Sequence, residues 1–217
     1  MTRKSWGRAL IAVAAVGALA LGVAACGDDD SSSSSDTTAA VGAGGKIALL
    51  LPEPNTARSE GLNKPQFEKK VAELCPDCTV IYSNADQDAS KQQQQAEAAL
   101  TNGAKVLVLD PVDSASAAAI ANQANAKGVP VISYDRLITD ADLALYISYD
   151  NEKVGRLQAQ SLVDKMTEMG NGSGTIVMIN GAPTDNNAKL FKAGAQAGLD
   201  NSSIKNGGED DNPEGRP

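Results

Sequence analysis

The 217-residue sequence predicts an α/β protein built on a doubly wound parallel sheet. Three observations carry that class. From Lys46 onward, short runs rich in Val, Ile and Leu alternate with longer Ala-rich stretches of helical period. The apolar runs are nearly continuous, as strands covered on both faces require. Two helical stretches end in Asn102-Gly103 and Lys127-Gly128, and each leads directly into an apolar run. Strand–helix alternation puts helices on both faces of a parallel sheet, and right-handed crossovers make that layer doubly wound.

Two segments precede the sheet. Residues 1–26 read as a lipoprotein signal peptide. Arg3, Lys4 and Arg8 form a positive start, Ala9 to Ala20 an apolar core, and small residues follow. "VAAC", Val23 to Cys26, resembles a bacterial lipobox, in which cleavage before Cys26 leaves that residue to carry the lipid. The alternative is an ordinary signal peptide with a chance cysteine, but Cys26 stands where the cleavage site belongs. The expected location is therefore extracytoplasmic, with a lipid anchor in the cell membrane. Residues 27–45, "GDDDSSSSSDTTAAVGAGGK" without its final Lys, have no large apolar side chain except Val41 and read as a flexible tether.

The elements then follow in order. Strands are expected at 46–51, 79–83, 105–109, 129–133, 144–148 and 175–180, and helices at about 63–74, 88–102, 114–127, 151–168 and 186–198. Asn63 is placed to cap the first helix, with Pro65 in its first turn. Phe67, Val71 and Leu74 give that helix an apolar stripe, and "CPDC" closes it. Cys75 and Cys78 have two readings, a thioredoxin-like redox pair or a structural disulfide. A redox CxxC opens a helix, whose N-terminus lowers the thiol pKa, whereas this one ends a helix, so the disulfide is the preferred reading. "QQQQ", Gln92 to Gln95, reads as one solvated turn of the second helix. Ile120, Ala121 and Ala124 form the apolar face of the third.

In such a sheet ligands bind outside the carboxyl ends of the strands. Those ends supply "PEPNTARSE", "NADQD", "DPVD", "YDR", "YDN" and "GAPTDNN" in turn. Helix capping accounts for Asp86, Asp88 and Asp113. It accounts poorly for Asp135-Arg136, because an irregular stretch follows rather than a helix. A rim of carboxylates, amides and guanidinium groups suits a neutral, hydroxyl-rich ligand: Asp accepts from hydroxyls, Arg donates in a planar fork, and Asn does both. No Gly-rich phosphate loop follows any strand, so no nucleotide cofactor is expected.

The stretches "YDRLITDADLALYISYDNEKVGRLQAQ" and "GAPTDNNAKLFKAG" closely resemble the D-xylose-type substrate-binding proteins of ABC sugar importers, within the type I periplasmic-binding-protein family. The likeness runs from about Lys46 to Lys205. It implies two similar α/β lobes that close on a monosaccharide: an N-terminal lobe over 46–149, a hinge near Tyr149-Asp150, and the start of a second lobe over 150–217. It implies an importer permease as partner. Matched by motif, the implied sugar contacts are Arg58, Asp135, Arg136, Asp185 and Asn186, while Asp150-Asn151 has a hinge and capping role. Ser59 and Gly215 stand where the family carries Trp, and Trp6 falls in the signal peptide. The resemblance also implies further chain beyond this one. The tail "IKNGGEDDNPEGRP" lacks the apolar run of a full strand, so an incomplete second lobe and weak sugar binding are expected.

Other classes fit less well. The chain has no His, which removes the commonest general base and metal ligand, and no nucleophile–base pair is visible, so catalysis and metal binding are not expected. The net charge is -8, about -11 once Arg3, Lys4 and Arg8 are removed, which excludes a basic nucleic-acid footprint. A sugar-responsive regulator of the same fold would need a DNA-binding helix pair where the lipobox and tether stand. A phosphoacceptor domain would need an acidic pair after the first strand, and "LPEPN" does not provide it. A thiol oxidoreductase would depend on Cys75 and Cys78 alone.

Overall fold

The computed structural model describes residues 44–211. The signal peptide with Cys26, nearly all of the tether, and Gly215 lie outside that range. The chain forms β1 (Lys46–Leu51), a π-helical turn (Ser59–Asn63) running into α1 (Lys64–Leu74), β2 (Thr79–Asn84), α2 (Ala89–Thr101), β3 (Ala104–Leu109), α3 (Ala118–Ala126), β4 (Val131–Tyr134) and β5 (Leu145–Ile147). It continues with α4 (Asn151–Glu168), β6 (Ser173–Ile179), α5 (Asn186–Leu199) and β7 (Ser203–Asp210). β1 to β5 make one parallel sheet in the order β2-β1-β3-β4-β5, and β6 and β7 make a second, two-stranded parallel sheet.

That order carries the functional geometry. The chain leaves β1 in one direction to reach β2, then crosses back to β3 and runs outward the other way. The reversal opens a crevice at the carboxyl ends of β1 and β3. The crossovers also set the two faces. Ala48, Leu50, Leu107 and Leu109 pack against Ala96, Ala99 and Leu100 of α2 and Ile120, Ala121 and Ala124 of α3. Leu49, Leu51 and Val108 point the other way, toward Phe67 of α1. The alternation of Leu49, Leu50 and Leu51 between faces is the pleat at work, and all three are essentially inaccessible. β5 is the edge, and its Leu145, Tyr146 and Ile147 are all exposed.

Three local expectations change. Asn63 does not cap α1, because the π-helical turn already precedes it; its side-chain oxygen instead accepts from the Tyr134 hydroxyl at 3.1 Å. The glutamine run is not uniformly solvated. Gln92 is buried, donates to the Asp110 carbonyl at 2.9 Å and accepts from Val112 N–H at 2.9 Å, and Gln95 donates to the Asn84 carbonyl at 2.7 Å. α2 passes beneath the ends of β2 and β3, so these amides satisfy loop backbone that no strand can reach. Residues 203–210 do form a strand, against expectation. Parallel pairing with β6 is a backbone interaction, and only Ile204 of β7 is buried. The register slips between Ile176 and Met178, opposite Gly207-Gly208, and a Cβ at Gly207 would collide with Thr175.

In the two-stranded sheet Ile176 and Met178 pack against α4 and α5, with Ala159, Leu199 and Ile204 at the centre. Val177 and Ile179 point the other way and are 67% and 71% exposed. α4 and α5 cross closely because Gly155 and Gly194 sit at the crossing; a Cβ on either would strike the Phe191 or Glu152 carbonyl oxygen. Cys75 and Cys78 are joined by a disulfide with a Cα–Cα distance of 5.3 Å, at the C-terminus of α1 and the opening of β2. That is the sheet edge opposite the crevice.

Candidate binding cleft

The crevice is assembled from loops that follow strands. β4 ends at Tyr134 and the chain turns sharply at Asp135, whose φ of +62° lies in the left-handed region. Asp tolerates that region better than most residues, and the turn still costs about 1–3 kcal/mol. Its surroundings hold it. Asp135 N–H donates to the Ile147 carbonyl at 2.8 Å, the buried Ser133 hydroxyl donates to the Arg136 carbonyl at 2.7 Å, and Ile138 N–H donates back to Ser133 Oγ at 2.9 Å. The two side chains of the Asp135-Arg136 pair are thereby fixed at the carboxyl edge instead of trailing into solvent.

Arg58 reaches the same place from the β1 loop, where it immediately precedes the π-helical turn. Its guanidinium meets Asp135 Oδ2 at 2.7 Å. Arg136 Nε lies 3.0 Å from Asp185 Oδ2, and its other end donates to the Pro111 carbonyl at 3.3 Å. Burial works to lower the Arg58 pKa, but the charge and hydrogen bond of Asp135 outweigh it and raise the value. Burial pushes the Tyr134 hydroxyl up; Arg58 opposes the shift, and Asp135 and Asp110 add to it. The expected residues thus form two ion pairs, Arg58 with Asp135 and Arg136 with Asp185. Asn186 enters through its backbone N–H, which donates to Ser114 Oγ at 3.1 Å.

Three residues outside the expected set belong to the same cluster. Asp110 follows β3 at the topological reversal and is only 4% exposed. Its Oδ1 has no hydrogen-bond partner and stands 3.8 Å from Arg136 Nε, inside ion-pair range but beyond a hydrogen bond. Burial raises its pKa well above the usual carboxylate range; Arg136 opposes the shift, Asp135 adds to it, Arg58 opposes it and Asp185 adds to it. Asn187, one position beyond the expected pair, is buried and donates to the Asp135 carbonyl at 3.2 Å. Its Oδ1 accepts from Asn151 Nδ2 at 2.8 Å. Ser114 donates its N–H to the Thr184 carbonyl at 3.0 Å. Asp150 caps α4 by accepting from Lys153 N–H at 3.0 Å, while the neighbouring Asn151 side chain joins Ser148 to Asn187.

The cluster holds three carboxylates against two guanidinium groups. Apart from Asp110 Oδ1, its carboxylates and guanidinium groups are paired with each other, so an incoming polar ligand exchanges hydrogen bonds with groups already aimed at the crevice. Among the described residues no group of acidic or sulfur side chains is arranged to hold a metal ion.

Comparison with known proteins places this geometry in a family. Residues 40–216 match the periplasmic binding protein domain. The chain is 40% identical over 128 residues to the D-xylose-binding periplasmic protein of Escherichia coli K12, covering 59% of this chain and 37% of that one. It is also 40% identical over 116 residues to a multiple sugar-binding periplasmic receptor of Rhizobium radiobacter, covering 52% and 33%. A carbohydrate transporter solute binding protein from Chloroflexus aurantiacus, solved in complex with D-glucose, superposes with a TM-score of 0.64 at 33% identity, over 73% of this chain and 46% of that one. The matched segment thus spans about a third of the two curated relatives' length. With most of its length matched by the domain, the chain belongs to the periplasmic-binding-protein family.

Proposed function

We propose that this protein is an extracytoplasmic receptor that binds a neutral monosaccharide, an aldose of the xylose type, for an ABC importer. One observation carries the reading. Arg58, Asp135, Arg136 and Asp185 converge from three separate strand-end loops at the sheet's topological reversal. Forked donors and carboxylate acceptors alternate there, and vicinal hydroxyls offer the complementary pattern, each both donor and acceptor. Arg58, Asp135 and Arg136 face the sugar from the five-stranded sheet, and Asp185 and Asn186 from the β6–α5 loop. The aldose preference rests on the "YDR" and "DNN" motifs and on the xylose-binding relative.

The protein binds and releases its ligand without turnover. Lipidated Cys26 holds it at the membrane, the tether gives it reach, and Tyr149-Asp150 is the hinge between the two sheets. Only the β6–α5 loop of the second sheet reaches the cluster among the described residues.

A thermal-shift screen of the protein against pentoses and hexoses at high millimolar concentration tests the reading. Stabilisation by D-xylose or a close epimer, with none from a charged control of similar size, is the expected result. A response to no sugar, or equal responses to all solutes, contradicts it.

A further inference from the structure

We propose that Asp110 is a positioning residue for Arg136, a second carboxylate anchor that takes the guanidinium whenever Asp185 or a sugar does not hold it. The inference deepens the sugar-binding reading and rests on it for its consequence, but not for its geometry. Arg136 Nε stands between two carboxylates, 3.0 Å from Asp185 and 3.8 Å from Asp110. These differ in kind. Asp185 lies on the β6–α5 loop and departs if the two sheets move apart. Asp110 is fixed in the same sheet as Arg136. Its N–H donates to the Leu50 carbonyl at 3.0 Å, and its carbonyl accepts from the buried Gln92 side chain at 2.9 Å.

The orphan Oδ1 gives the second line of argument. A buried polar atom without a hydrogen bond is rare and costly, and it calls for a role. Here the cost is relieved by a shift of under one ångström in Arg136, which closes the 3.8 Å gap to hydrogen-bond length. Arg136 therefore has two resting positions, and the one on Asp110 keeps the guanidinium at the crevice floor while the crevice is open. Without that anchor the freed Arg136 would search many rotamers before meeting a ligand.

Asp110 is the group that titrates in this arrangement. The charged and titratable groups that face it are Arg136 and Asp135 after β4, Tyr134 at the end of β4, Arg58 after β1, and Asp185 from the β6–α5 loop. Burial raises its pKa first and foremost, so protonation occurs above the usual carboxylate range and loosens its hold on Arg136.

The test follows the Arg136 Nε–H signal by NMR across a wide pH range, in the unmutated protein, in Asp110→Asn and in Asp185→Asn. The expected result is a step above the ordinary carboxylate range in the unmutated protein and in Asp185→Asn, absent from Asp110→Asn. The Asp110 carboxyl carbon should report the same step in the unmutated protein, so the result does not depend on a variant folding. A step that persists in Asp110→Asn, or a carboxyl signal that titrates in the ordinary range, overturns the proposal. A second arm adds D-xylose at neutral pH, where Asp110→Asn is expected to weaken binding about tenfold, as the loss of one charge-assisted contact would. Sugar binding unchanged by Asp110→Asn counts against the positioning role. An Arg136 step with no sugar response in any protein upholds the Asp110 contact and removes the sugar reading instead.

Discussion

The five-stranded and two-stranded sheets are made from the same kind of repeating unit and solve the packing problem differently. The first is covered on both faces, so its central strands read Leu-Leu-Leu and Val-Leu-Val-Leu and are buried almost throughout. The second is covered by α4 and α5 on one face, and its other face leaves Val177 and Ile179 open. A sheet closed on both sides makes a rigid platform for Arg58, Asp110, Asp135 and Arg136. A sheet closed on one side, with a smaller core of Ala159, Leu199 and Ile204, presents Asp185 and Asn187 at the start of α5.

Core substitutions should break this contrast most visibly. Leu107, fully buried in the five-stranded sheet, should cost about 2–5 kcal/mol on Leu107→Ala. Val177→Ala on the open face should change stability by less than about 0.5 kcal/mol. Urea denaturation followed by circular dichroism measures both, and equal losses would erase the distinction. Gly194→Ala comes next. The added Cβ strikes the Glu152 carbonyl oxygen and forces α4 and α5 apart, at about 1–3 kcal/mol. Hydrogen exchange should then show lost protection in α4 and α5 with β1 and β3 unaffected. Parallel loss in both would mean the two sheets unfold as one.

Smaller effects sharpen the comparison within the first sheet. Replacing Cys75 and Cys78 by Ser should cost about 1–2 kcal/mol, because the closed loop is short, and should leave the crevice untouched at the opposite edge. Two free thiols in the unreduced protein would contradict the pairing. Last, Tyr82 is pushed up to about 12, by burial first and then by its hydrogen bond to Glu60. A raised folded-state value means the neutral hydroxyl is favoured by folding. Its contribution is complete below the unfolded-state pKa of about 10 and is lost as pH rises toward about 12. Tyr82→Phe should flatten a shallow fall in stability over that alkaline window, and an unchanged slope would assign it to another group.

Much of this was legible before the structure. Buried strands write their own apolar runs, and Asp135-Arg136 stood out because no helix follows to be capped. What stayed hidden depends on contacts distant in sequence. Asp110 looked like one more polar residue after a strand, and only the β2-β1-β3-β4-β5 order puts it at the reversal beside Arg136. Gln92 was hidden in a run of glutamines whose members differ only by helix face. β7 escaped because its pairing runs through backbone groups, with Ile204 alone contributing a buried apolar side chain.

The proposed function requires that the strand-end cluster receive a sugar. The decisive experiment titrates isotope-labelled protein with D-xylose and follows the Arg136 guanidinium together with the amides of Asp110, residues 112–114, 135–139 and 184–187. Saturable shifts confined to those segments are expected, lost or weakened about ten- to a hundred-fold in Arg136→Ala, as removal of a charged hydrogen bond worth about 1.5–3 kcal/mol requires. Shifts elsewhere, or a titration in Arg136→Ala identical to that of the unmutated protein, would contradict it.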